Sequence, residues 1–249
     1  MYDIAMLADI IRNSKKTIFF GGAGVSTESN IPDFRSESGL YKAKAVYGYP
    51  PEELLSHTFF MREPELFFRY YKENLIYADA KPNSAHKSLA ELEQLGLLSA
   101  VITQNIDGLH QMAGSKNVME LHGSNHRQYC MGCGDRYSLK YIMDDENCDR
   151  FIPKCKKCGG VVRPEVVLYE EQLNDDVISM ALKSITTSDC MIIGGTSLVV
   201  YPAAGLLRHF AGSKLVLINK SETPYDSRAD LVIHDSIGQV LSGAAGEIV

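Results

Sequence analysis

Apolar residues at Ile4, Leu7, Ala8, Ile10 and Ile11 recur every three to four positions and predict a helix, after which the β-rich run Thr17 to Phe20 predicts a strand ending in Gly21-Gly22. The phrase then repeats. Ser84 is expected to cap a helix carrying Ala85, Leu89, Leu92 and Leu95, closed by Gly96, with a buried strand at Ala100 to Thr103. Further on come a strand at Cys190 to Ile193 before Gly194-Gly195, a helix from Pro202 to Phe210 closed by Gly212, and strands at Leu215 to Ile218 and Leu231 to Ile233. Short apolar strands alternating with helices predict an α/β fold on a doubly wound, mostly parallel sheet.

Two stretches break the rhythm. Ser36 to Ala80 is rich in Tyr and Phe around a Pro50-Pro51 turn, and Gly123 to Val162 holds both CxxC pairs of the chain. Both read as insertions that form a smaller lobe. The expected division is a Rossmann-like domain from 1–35, 81–122 and 163–249, with a helical insertion at 36–80 and a second insertion at 123–162. The junction of sheet and lobe would make a cleft, the commonest place for cofactor and substrate to meet.

The second insertion carries Cys130-Met131-Gly132-Cys133 and Cys155-Lys156-Lys157-Cys158, separated by 21 residues and each followed by glycine. Two knuckle turns at that spacing present four sulfurs tetrahedrally, so Cys130, Cys133, Cys155 and Cys158 are expected to form a zinc ribbon. Four thiolates leave no open coordination position, which makes the metal structural rather than catalytic.

Composition narrows the partners. At 45% hydrophobic and 22% charged residues the chain is a folded protein and not a disordered one. Its 25 Lys+Arg against 31 Asp+Glu give a net charge of −6, the wrong sign for gripping nucleic acid through bulk charge. Apolar runs such as Ile18 to Phe20 fall far short of the ~20 residues a membrane span needs. Met1 to Asn13 carries Asp3 and Asp9 and lacks the basic start of a secretory signal. The expectation is a cytoplasmic monomer without nucleic-acid or membrane partners.

Gly22-Ala23-Gly24-Val25-Ser26 directly succeeds a predicted strand, where small residues let backbone N–H groups approach a pyrophosphate. The third glycine of the usual dinucleotide fingerprint is missing, and no acid stands about 20 positions on, which disfavours a hydride-transferring dehydrogenase. The turn leads instead into Ile31-Pro32-Asp33-Phe34-Arg35, a proline-stiffened loop suited to covering a bound cofactor.

These residues are specific enough to suggest a family. The run Gly22 to Ser36 (GAGVSTESNIPDFRS) closely resembles the signature of the sirtuins, the NAD-dependent protein deacylases. Thr103 to His110, Glu120-Leu121-His122-Gly123, the two CxxC pairs, Arg163-Pro164, Gly195-Thr196-Ser197-Leu198 and Pro202-Ala203-Ala204 resemble further sirtuin segments, in the same order. The resemblance implies that NAD is consumed as a sugar donor: the acetyl group of an acetyl-lysine protein or peptide moves to ADP-ribose, with release of nicotinamide and O-acetyl-ADP-ribose.

By the same resemblance Asn105 and Asp107 orient ribose and the nicotinamide carboxamide, Phe34 and Ile106 wall their pocket, and His122 is the general base, freeing the 2′-oxygen to attack the alkylimidate. Gly22, Ala23, Gly24, Thr27, Asp33, Arg35 and Gln104 are implied to touch NAD, Gly195, Thr196 and Ser197 to lie near phosphate or ribose, and Asn219 and Ile237 to meet the adenosine end. Val166, Val167 and Tyr169 are implied to pair with the substrate backbone by strand addition. Neighbouring readings are removal of other short or long acyl groups, mono-ADP-ribosyl transfer, and, outside catalysis, a silent NAD-binding interaction module.

The chain departs from the family pattern in two places. Asn30 stands where sirtuins usually have glycine, and Asn is the residue next best able to take a positive φ. Tyr169-Glu170-Glu171 replaces the common Phe-Gly-Glu in the segment expected to meet the peptide. Phe67 to Asn74 holds no Tyr-x-x-Arg pair for an acidic acyl group, so short neutral acyl groups are favoured, and Phe67, Phe68, Tyr70 and Tyr71 are expected in the lobe core.

Overall fold

The computed structural model describes residues 2–32 and 44–248. Its large sheet holds β1 (Thr17–Gly21), β2 (Leu98–Thr103), β3 (Val118–Glu120), β9 (Cys190–Gly194), β10 (Lys214–Ile218) and β11 (Leu231–Ile233), all parallel, in the order β11-β10-β9-β1-β2-β3. The chain winds outward from β1 in one direction and from β9 in the other. The gap between these two central strands is therefore the topological switch point, where an open α/β sheet binds its ligands.

Both faces of the sheet are covered, which is why its strands read as continuous apolar runs. Phe19, Ile192 and Val216 point into a core shared with the helices Tyr2–Asn13, Ser84–Gln94 and Ile237–Ile248. Their neighbours Ile18, Phe20, Ile193 and Leu217 point the other way, into a core with the helix Asp175–Thr187. The period of two in side-chain direction thus fills two cores from single strands.

Two local expectations need correction. Asn83, not Ser84, caps the helix Ser84–Gln94: its side chain accepts from Ala85 N at 2.9 Å and His86 N at 3.4 Å, and His86 Nδ1 accepts from Asn83 N. The imidazole takes the part that Glu or Gln plays in the usual capping box. The run expected as a helix from Pro202 to Phe210 is instead a 3₁₀ segment, Ala203–His209. Its buried residues, Ala203, Ala204, Leu206 and Leu207, repeat every three positions, the period of a 3₁₀ turn, and Gly205 weakens the α-helical alternative.

The smaller lobe joins the helices Pro51–Leu54, His57–Arg62 and Pro64–Asn74 to an antiparallel sheet of β4 (Gly123–Cys130), β5 (Arg136–Ser138) and β8 (Val162–Val166), and to the pair β6 (Cys148–Asp149) and β7 (Ile152–Pro153). One core holds it together: Phe67, Phe68, Tyr70 and Tyr71, as expected, with Phe59, Phe60, Cys130 and Cys155. The sheet reaches past the expected 123–162 insertion. Gly123 pairs with Val166, so Arg163 to Val166 belong to the lobe's sheet and carry it directly to the cleft. Among the described residues no helix is long and apolar enough to cross a membrane.

Candidate active site

The turns after β1 and β9 meet at the switch point with no room for side chains. Gly24 N donates to Gly195 O at 2.8 Å and Gly22 N to Gly194 O at 3.3 Å. A Cβ on Gly24 would lie 2.8 Å from Gly195 Cα, and one on Gly195, at φ +59°, would lie 2.4 Å from Val25 N. The contact makes a glycine ledge at the head of the cleft, since only glycine lets the two backbones come so close.

From this ledge a cavity of about 480 Å3 runs between the sheet and the lobe. It gathers most of the expected site: Ala23, Gly24, Gln104, Asn105, Ile106, Asp107, His122, Val166, Val167, Tyr169, Gly195, Thr196 and Ser197 all line it. Gly22, Thr27, Asn219 and Ile237 lie off its wall; Ile237 is 4% exposed in the core, close against Gly194. Asp33, Phe34 and Arg35 fall outside the described residues.

Three polar side chains lock together at its floor. Ser26 Oγ donates to Asp107 Oδ2 at 2.6 Å and accepts from Asn105 Nδ2 at 3.0 Å, while Asp107 Oδ1 accepts from Leu109 N at 2.9 Å. Ser26, only 1% exposed, is a site residue that sequence reasoning misses. Its position inside the glycine turn is the available signal; the partners lie 79 and 81 positions away. His126 is missed as well, and its Nε2 contacts Asp107 O at 2.9 Å.

His122 enters from the turn between β3 and β4. Its Nδ1 is 2.9 Å from Gln104 O. A carbonyl only accepts, so Nδ1 carries the proton and Nε2 is the proton-accepting atom of the neutral ring. The next residue, Gly123, has φ +79°, and a Cβ there would lie 2.0 Å from Glu165 O, so the His-Gly pair is fixed by the close approach of β8. Gln104 Nε2 in turn donates to Thr196 Oγ1 at 3.1 Å, joining the two halves of the sheet across the switch point.

On the lobe side, Tyr169 N donates to Leu55 O at 3.0 Å and His57 N donates to Tyr169 O at 3.0 Å. Glu170 holds φ +75°, the conformation a glycine adopts freely, and its Oε2 accepts from Thr58 N at 2.8 Å. Burial would raise the Glu171 carboxyl, but Arg163, Leu168 N and His57 outweigh it and hold the group at about 2.

The four cysteine sulfurs all lie within 4.8 Å of one another, with Cys130 and Cys158 at 3.4 Å and Cys133 and Cys155 at 3.6 Å. A tetrahedron with Zn–S bonds of about 2.3 Å has edges of about 3.8 Å, so this set fits one zinc ion.

A family model described as the Sir2 family matches residues 22–202. A Clostridium acetobutylicum protein named "NAD-dependent protein deacetylase" is 63% identical over 235 residues, covering 94% of this chain and 95% of its own length. A Clostridium tetani protein of the same name is 58% identical and covers 97% of each. A solved structure described as "Sir2-p53 peptide-NAD+" superposes with a TM-score of 0.87 at 38% identity over 98% of both chains.

Proposed function

Because this chain belongs to the Sir2 family, we propose that it is an NAD-dependent protein-lysine deacetylase working in the cytoplasm on acetyl-lysine proteins. One observation carries the residue roles: His122, its tautomer set by Gln104 O, lines the same cavity as the Ser26-Asn105-Asp107 cluster and the glycine ledge. NAD supplies the glycosidic bond that is broken and the ribose hydroxyl that receives the acetyl group; one water is consumed once that group has moved, and nicotinamide, O-acetyl-ADP-ribose and the free lysine amine are released.

The chain's own residues do the rest. Asp107 and Asn105, held by Ser26, present a carboxylate and an amide in fixed directions to the carboxamide and ribose, so orientation is settled before reaction. His122 Nε2 takes a hydroxyl proton at neutral pH. Ile106 and the apolar wall from Leu168 and Leu173 exclude water that would otherwise capture the sugar carbon. Val166, Val167 and Tyr169 line the edge beside which a peptide would lie, the main-chain groups of Tyr169 being taken by Leu55 and His57. Zinc on Cys130, Cys133, Cys155 and Cys158 shapes the lobe behind that edge.

Mass spectrometry of an acetyl-lysine peptide incubated with the protein, with and without NAD, tests the reading. NAD-dependent loss of acetyl with O-acetyl-ADP-ribose as product is expected, reduced about 10²-fold or more in His122→Ala. Transfer of ADP-ribose to the peptide without deacetylation would replace the proposal with the transferase reading.

A further inference from the structure

We infer that Arg163, paired with Glu171, is the positioning residue for the peptide-facing segment 166–171; the inference rests on the deacetylase reading above. Arg163 stands in β8 and is 5% exposed. Its Nη1 donates to Glu171 Oε1 at 2.6 Å, and its Nη2 donates both to Glu171 Oε2 at 3.0 Å and to Val166 O at 2.9 Å. The rings of Phe60 and Tyr129 lie 5.2 and 5.9 Å from the guanidinium carbon.

One planar fork therefore gathers both ends of the segment, the carbonyl of Val166 and the carboxylate of Glu171. The same carboxylate accepts from Leu168 N at 2.9 Å in the middle. The segment is closed on itself around one guanidinium, and all six of its residues line the cavity. Stability alone is a poor reason for such a pair, because replacing a buried ion pair with apolar residues of similar volume is often neutral or stabilising. What an apolar pair cannot supply is direction. A bidentate guanidinium fixes the plane and distance of its carboxylate, and here that fixes the path of the backbone a peptide would pair with.

The test compares Arg163→Lys, Glu171→Gln and the apolar double variant Arg163→Met/Glu171→Leu with the wild type. Affinity for a fluorescent acetyl-lysine peptide is read by anisotropy, independently of turnover, alongside KM for peptide, NAD binding without peptide, kcat and Tm. Each variant is expected to weaken peptide affinity about tenfold or more, the size of one lost charge-assisted hydrogen bond, with NAD binding unchanged and kcat within about threefold. The double variant keeps this defect at a Tm near or above that of the wild type, which a merely structural pair would not do. Wild-type peptide affinity in the double variant, or equal losses for NAD and peptide, would overturn the inference. A wild-type protein that binds the peptide without deacetylating it would sink the deacetylase reading alone, and the anisotropy would still judge Arg163.

Discussion

At the scale of single residues, the chemistry legible in the sequence is the chemistry confined to short motifs. His122 stands beside its obligatory Gly123, and the cysteines pair two by two, so local order suffices. Ser26 escapes because its role exists only after β1 and β2 have paired in parallel and brought the two turns together. Ser26→Ala leaves Asp107 Oδ2 and Asn105 Nδ2 without their shared hydroxyl at a buried position. A loss of about tenfold in kcat/KM is expected, with folding retained, and steady-state kinetics with peptide and NAD varied in turn checks it. Glu170 stands out in the sequence as a departure, but only the structure gives its reason: the left-handed backbone is kept and Thr58 N donates to a carboxylate. Both Glu170→Ala and Glu170→Gly lose that bond, and only the second relieves the backbone. The glycine variant is expected to melt about 2–4 °C above the alanine variant by calorimetry.

At the scale of elements, hydrophobic periodicity locates the strands Thr17–Gly21, Cys190–Gly194 and Lys214–Ile218 to within a residue at most ends, because a strand buried on both faces has little freedom of composition. Elements whose form depends on neighbours are harder. The run at 203–209 carries apolar residues that suit either helix type, and its packing onto the sheet selects the 3₁₀ period. β8 holds Arg163, Pro164 and Glu165 between its two valines, so no apolar run announces it, and nothing local says that it pairs with β4 rather than with the large sheet. That pairing gives the metal its reach. Cys130 ends β4, Gly160 and Val162 lead from the second knuckle into β8, and β8 runs on to the peptide-facing segment. Chelation, or Cys155→Ala, is therefore expected to unfold the lobe and abolish deacetylation while the parallel sheet domain keeps its helical circular-dichroism signal. Metal analysis should give one zinc per chain before chelation and none after, and a chelated protein with unchanged turnover would refute the structural role.

At the scale of the whole molecule, the core shared by Phe19 and the helix Ser84–Gln94 meets the site at a pair of buried histidines whose burial no spacing rule announces. His86 and His110 stack edge to face at 4.7 Å, 0% and 1% exposed, between the helix Ser84–Gln94 and the turn that carries Asp107. Desolvation lowers His86 to about 4, against the opposing pull of Asp107 and Glu28, and desolvation with the neighbouring His86 lowers His110 to about 3. Both rings are thus neutral in the folded protein, while in the unfolded chain each titrates near 6.5. The unfolded state then binds more protons below that value, so the stability from keeping the pair neutral is complete above about pH 6.5 and drains away as pH falls toward 4 and 3. The slope approaches about 1.4 kcal/mol per pH unit for each histidine between about pH 6 and 5, above the range in which ordinary carboxylates titrate. Melting curves between pH 7.5 and 5 are expected to show a steady decline in Tm that is shallower by one proton in His110→Gln, since an amide of similar size does not titrate. An equal slope in the variant and the wild type would show that the pair is not the source of the acid sensitivity.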